Sequence, residues 1–175
     1  LATATTSRDA SARVTEAARD LVDYMLFVDE APLAGPVKSG SGFAEAFAAG
    51  ATRDAQGRSL RDLDLRRRLF RYACSYMIYT PAFDALPPAA LDAVYQRMWK
   101  VLSGAVRDQA YAHLTLPVRQ AIVEILRETK PALPAQYRPS RGVSGPYRPV
   151  SQGIVRPKPR MPSTITGRSF RRTDG

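Results

Sequence analysis

The amino-acid sequence predicts an all-α domain, a bundle of four to five helices, followed by a long extended tail rich in proline and arginine. Three observations carry that reading. Apolar residues recur at spacings of three and four in separate segments bounded by helix-starting and helix-stopping residues. No series of alternating strands appears. The composition changes at Pro131, because eight of the 14 prolines lie beyond Lys130. The charge divides there too: residues 131–175 hold nine Arg or Lys against Asp174 alone, whereas residues 1–130 hold 17 bases and 15 acids. The expected organisation is an N-terminal extension over 1–9, a helical domain over 10–130 and a basic tail over 131–175.

The first helix is expected from about Ala10 to Val28, where Val14, Ala17, Ala18, Leu21, Val22, Met25 and Val28 share one face. Ser7 or Asp9 would start it, and Asp29-Glu30-Ala31-Pro32 would stop it, since a residue before proline is pushed out of helical geometry. The stretch LAGPVKSGSG up to Gly42 reads as a loop. Its SGSG lacks both the Lys-Ser/Thr end of a P-loop and the spacing of a dinucleotide fingerprint, so its glycines serve backbone geometry. Ser41 would cap a short helix in which Phe43 and Phe47 lie one turn apart, with Gly50 at a left-handed end.

Ser59 with Asp62 resembles a capping box ahead of Leu60, Leu63, Leu65, Leu69 and Phe70. The run LFRYACSYMIY over Leu69–Tyr79 reads as a buried helix, with a strand as the alternative for SYMIY, and Thr80-Pro81 ends it either way. Pro87-Pro88 opens a helix through Val94, Met98 and Leu102 that Gly104 closes. The last helix opens at Thr115, admits Pro117 in its first turn and ends at Lys130-Pro131.

Little in these residues carries chemistry. Cys74 and His113 are single, so the chain has no intrachain disulfide and too few ligands for a cysteine- or histidine-based metal centre. A Cys74–His113 pair is formally available, but a cysteine among aromatics reads as a small buried hydrophobe, and a histidine beside a helix start as a hydrogen-bonding residue. No C-x-x-C-H occurs, which excludes covalent c-type haem, and Met77 and Met98 read as core rather than haem ligands. Asp20, Asp23, Asp29, Glu30, Asp62 and Asp64 read as solvated carboxylates. The expectation is no catalytic residue, no cofactor, no metal and no enzyme activity. Tyr72, Tyr76, Tyr79, Tyr95 and Trp99, close to Arg66, Arg67, Arg68 and Arg71, would suit a stacking platform for single-stranded nucleic acid, but at helical spacing they read first as core.

No apolar stretch approaches the ~20 residues needed to span a bilayer, although peripheral membrane association is compatible with the basic tail. Leu1 stands where an initiator methionine would, and no basic segment followed by an apolar one is present. That start suits a processed, exported chain, an organelle-imported one, or a fragment.

Four segments, LVDYMLFVDEAPL, LFRYACSYMIYTPAFDALP, VYQRMWKVLSG and AIVEILRETKPALP, carry a resemblance in order and spacing. They resemble the C-terminal region of a group of uncharacterised bacterial exported proteins, over residues 10–137. Some longer members have cytochrome-c-like features upstream, so the resemblance implies a periplasmic or otherwise exported setting and no assigned activity. Two departures stand out. The group favours proline where this chain has Ala73, which would let the helix run on, and it ends near Tyr137, whereas this chain continues for 38 residues.

The tail lacks the pattern of a helix or a strand and so needs outside partners for its backbone. Tyr-Arg-Pro occurs at 137–139 and again at 147–149, as two similar anchoring points. The expected partner-binding residues are Tyr137, Arg138, Tyr147, Arg148, Ile154, Arg156, Met161, Ile165, Phe170 and Arg171. The leading expectation is a non-catalytic accessory or structural subunit of a larger protein assembly, whose helical domain docks at one place while the tail straps over partner subunits. The alternatives are a ribosomal-type RNA-binding protein with the tail on phosphates and an accessory subunit of a redox or cytochrome-containing complex.

Overall fold

A computed structural model of the chain describes residues 2–38 and 40–138. Among these residues there are five α-helices and no strand: α1 (Ala2–Met25), α2 (Phe43–Ala49), α3 (Pro81–Asp84), α4 (Pro88–Leu102) and α5 (Leu116–Thr129). Two 3-10 turns lie between them, at Tyr76–Tyr79 and Gln109–Tyr111, and a third follows α5 at Ala135–Tyr137. None of the helices is long and apolar enough to cross a membrane.

Helix α1 starts earlier than expected, and neither Ser7 nor Asp9 marks its beginning, because residues 2–9 contain no proline or glycine to stop a helix. Its buried stripe is Ala18, Val22 and Met25. It also stops before Val28, in a closing turn in which Val28 N donates to Asp23 O (3.0 Å) and Phe27 N to Tyr24 O (3.2 Å). That pattern needs a left-handed residue at the first position past the cap, and Phe27 supplies it with φ 54°. A phenylalanine is an unfavourable choice there; its ring recovers energy by stacking on Phe70, with centroids 5.5 Å apart and planes 8° from parallel.

Helix α2 forms as expected, but with different ends. Gly42 (φ 69°), not Ser41, occupies its N-cap and makes no side-chain cap, and Gly50 has φ −84° rather than a left-handed backbone. The backbone at 50 is closely approached: Arg61 Nη1 donates to Gly50 O at 3.1 Å, and an added Cβ would stand 3.3 Å from the same nitrogen, so the arginine would have to shift slightly.

The largest departure lies between Ser59 and Tyr79, where the expected buried helix is absent. Asp62 takes hydrogen bonds from Ser59 N (3.0 Å) and Arg53 Nη1 (3.0 Å), which holds the chain in a turn. Leu65 is left-handed (φ 58°), and the chain folds back on itself through Leu65 N to Arg68 O, Asp64 N to Leu69 O and Arg71 N to Asp62 O, with Leu63 facing Phe70 in an isolated bridge. Ala73 is fully buried in non-helical chain, so no helix runs through it. Only Tyr76–Tyr79 is helical; Ser75 Oγ caps it from Met77 N, and Ser75 N donates to Met25 O (2.8 Å), tying it to the end of α1. Thr80-Pro81 then begins an element rather than merely ending one, since the Thr80 hydroxyl accepts from Phe83 N at the start of α3.

Helices α4 and α5 keep their expected ends, with Pro88 in the first turn of α4 and Gly104 (φ 79°) beyond its last. The core is built by α1, α4 and α5 around Val22, Met98, Leu102, Ile122 and Leu126, with Leu60, Cys74 and Ile78 contributed by the irregular segment. The packing continues past Lys130. Leu133 is buried and Tyr137 is fully so, its ring meeting Trp99 at 5.0 Å and Tyr95 at 6.1 Å, and its hydroxyl donating to Tyr95 O at 3.0 Å.

Candidate functional site

The irregular segment gathers its side chains beside α2. Phe43 and Phe47, one turn apart on α2, lie with centroids 5.7 Å apart, and Phe47 meets Phe70 at 6.2 Å and Tyr76 at 5.3 Å, the latter edge-on. Phe70 and Tyr76 close the cluster at 5.8 Å. The backbone of 33–37 is laid alongside by hydrogen bonds from Leu33 N to Arg67 O (3.1 Å) and Val37 N to Leu65 O (2.8 Å). Between these walls lies an open groove of about 490 Å³, lined by Val37, Lys38, Phe43, Phe47, Leu63, Leu65, Leu69, Phe70 and Tyr76, among others. That size and apolar lining belong to surfaces that take up a small ligand or several side chains of a peptide.

The groove is unusual for how much apolar surface it presents. Phe43 is 63% exposed, Val37 51% and Leu69 45%, and α2 buries no residue at all. Contiguous exposed apolar surface of this kind marks interaction sites rather than ordinary protein exterior. The Arg61 guanidinium lies 4.3 Å over the Phe47 ring, a cation–π contact that holds the arginine in place.

Two of the expected partner-binding residues, Tyr137 and Arg138, are among the described ones. Tyr137 is inside the core of its own domain, where Arg127 Nε donates to its carbonyl, so its ring is no surface anchor. The cause is the aromatic pocket of Tyr95 and Trp99, which takes it up intramolecularly. Arg138 is exposed just beyond, with its amide bound to Ala135 O. Tyr147, Arg148, Ile154, Arg156, Met161, Ile165, Phe170 and Arg171 lie outside the described residues.

The titratable groups are occupied by structure. Cys74 is fully buried, and burial pushes its thiol up to about 12. His113 Nε2 stands 2.8 Å from Leu26 O. Alkylation should reveal the consequence: iodoacetamide is expected to label Cys74 fully in urea and negligibly in buffer over the same time, and native labelling at the rate of free cysteine would contradict this placement. Tyr111 donates its hydroxyl to Asp23 and accepts from Arg97 Nη2 (2.9 Å), so Asp23 is no solvated carboxylate. Tyr79 is hydrogen-bonded to Thr129 at 2.6 Å, and burial pushes it up to about 12. With Tyr95 and Trp99 turned into the core as well, the aromatics of the would-be stacking platform do not share an exposed face.

One charged cluster escaped the sequence reading. The Asp54 carboxylate is buried and accepts from Gln56 N (3.0 Å), Arg58 N (2.7 Å) and Arg58 Nε (2.7 Å), while Arg58 Nη2 donates to Glu124 on α5 (2.9 Å). Burial alone would raise the Asp54 carboxyl, but the Arg58 amide and guanidinium outweigh it and hold it below its usual value. Among the described residues, no three His, Cys, Asp or Glu side chains come together as a metal site.

No family description, no curated protein and no solved structure matches this chain. The groove therefore has to be read from its own geometry.

Proposed function

We propose that the chain is a non-catalytic subunit of a larger protein assembly. The helical domain docks through the aromatic groove, and the proline-rich residues 139–175 run extended over a neighbouring surface. The observation that carries the reading is the groove, in which Phe43, Leu69 and Val37 stand exposed around a packed aromatic floor. Apolar anchors of this kind supply most of the affinity in protein interfaces. The tail composition supports the second contact, since proline-rich chain loses little entropy when it is held. The resemblance to exported bacterial proteins supports a periplasmic setting.

Deleting residues 139–175 tests the reading. The helical domain keeps Tyr137 and is expected to stay folded by circular dichroism, but to fall to a small fraction of normal occupancy when the complex is purified from its native cell. A truncated chain retained at full occupancy would exclude the strap. The nine basic residues beyond Lys130 favour one other reading, RNA binding through the tail. Salt separates them: contacts to several phosphates make affinity fall steeply and log-linearly with ionic strength, whereas docking through apolar anchors falls far less.

A further inference from the structure

We infer that the aromatic groove receives an acidic peptide segment of a partner protein, which inserts large apolar side chains between α2 and the 63–70 turn while its carboxylates face Lys38 and Arg66. This rests on the docking reading above and deepens it by naming the chemistry of the partner.

Charge complementarity selects the occupant. No carboxylate lines the groove, and its one charged lining residue is Lys38. The turn that carries Leu65 and Leu69 adds the exposed Arg66, which is in no ion pair with another described residue, whereas Arg67 lines a separate hollow with Asp29 and Glu30. Nearby acids are engaged or set aside. Asp62 is held by Arg53, and Glu30 Oε1 accepts from Leu69 N at 3.4 Å. Asp64 alternates with the lining residues Leu63 and Leu65, and Glu45 falls between Ala44 and Phe47 on α2 without lining the groove. The surface is thus apolar at its floor and positive at its edge, which matches an amphipathic segment with apolar anchors and acidic flanks. The chain's own residues 139–175 are a poor match, since they would bring a strongly basic segment against Lys38 and Arg66.

Selection of short random peptides on the intact 175-residue chain, by display on their encoding nucleic acid, tests this directly. Enriched peptides are expected to be net negative and to carry large apolar residues three or four positions apart. Leu69→Asp and Lys38→Glu change exposed residues, so both variants should keep native circular dichroism; each is expected to weaken the enriched peptides by about tenfold or more. Tyr24→Ala, on the 80% exposed Tyr24 of α1, should change nothing. Raising the salt from roughly 50 mM to about 500 mM should weaken binding severalfold through screening of the rim.

Failure to enrich any peptide, enrichment of basic or neutral ones, or binding indifferent to Leu69→Asp would each overturn the inference. So would concentration-dependent self-association that Leu69→Asp abolishes, because a second copy would then be the occupant. The strap of residues 139–175 fails separately, if the chain truncated at 138 stays in its assembly while the peptides still bind. If instead truncation releases it and no groove peptide is found, only this inference falls.

Discussion

A chain that ends at Lys130 is expected to be unfolded at room temperature, whereas one that ends at Arg138 keeps nearly all its stability. The eight residues between contain Leu133 and Tyr137, both buried in the core. Losing the Tyr137 ring opens a cavity against Tyr95 and Trp99, at about 4 kcal/mol, and losing Leu133 adds roughly 2 kcal/mol. Arg127 Nε also loses the carbonyl it donates to. Small domains hold only about 5–15 kcal/mol in total, so the shorter chain has little left. The single Trp99 touches the Tyr137 ring and reports the transition by its emission during urea titration. Equal midpoints for the two truncations would remove Tyr137 from the core. Two substitutions in the full chain refine the test: Tyr137→Ala should cost about 4 kcal/mol and Tyr137→Phe only about 1 kcal/mol, since the latter forfeits one hydrogen bond to Tyr95 O.

Arg58→Ala should destabilise the domain by about 3 kcal/mol at neutral pH, or roughly 10 °C in Tm. The Arg58 guanidinium is the counterion of a carboxylate with no exposed side-chain surface, Asp54, and it bridges to Glu124 on α5. Without it, Asp54 is a buried charge that keeps only its amide donors. The pH dependence carries the sign. In the native protein the Asp54 carboxyl lies below its ordinary value of 3.8, so its contribution is fully present above that value and is lost as pH falls through the lower, folded one. The variant has no such pairing to lose. The stability gap between the two proteins is therefore expected to narrow as pH drops from about 6 towards 3, as Asp54 is protonated in both. A gap that stays constant over that range would show that Arg58 acts by packing and not by charge.

Helices α4 and α5 and the position of α2 were legible from local residues. Pro88, Pro117, Gly104 and Lys130-Pro131 act within one turn of where they stand, and the apolar spacing of each helix needs no partner to be read. Segment 59–79 was not legible in the same way. Its leucines and tyrosines satisfy a helical spacing, but Asp62 is held by Arg53 and Ser59, Leu65 adopts a left-handed backbone, and Ser75 binds Met25 O fifty residues away in the chain. No spacing rule contains those contacts.

The groove shows the same division. Phe43 and Phe47 one turn apart were visible as a pair, yet nothing local said that Phe70 and Tyr76 would complete the cluster, or that Arg61 would reach Gly50. Tyr137 sits in a Tyr-Arg-Pro repeat and looked like an outward anchor, until Tyr95 and Trp99 turned out to form a pocket that fits it. Periodicity and capping are properties of neighbouring residues, so the sequence was enough to place α2, α4 and α5 and the basic, proline-rich composition of the end. Which apolar side chains are buried and which are left standing at the surface depends on surfaces meeting across long separations, and that was settled only when the chain closed on itself.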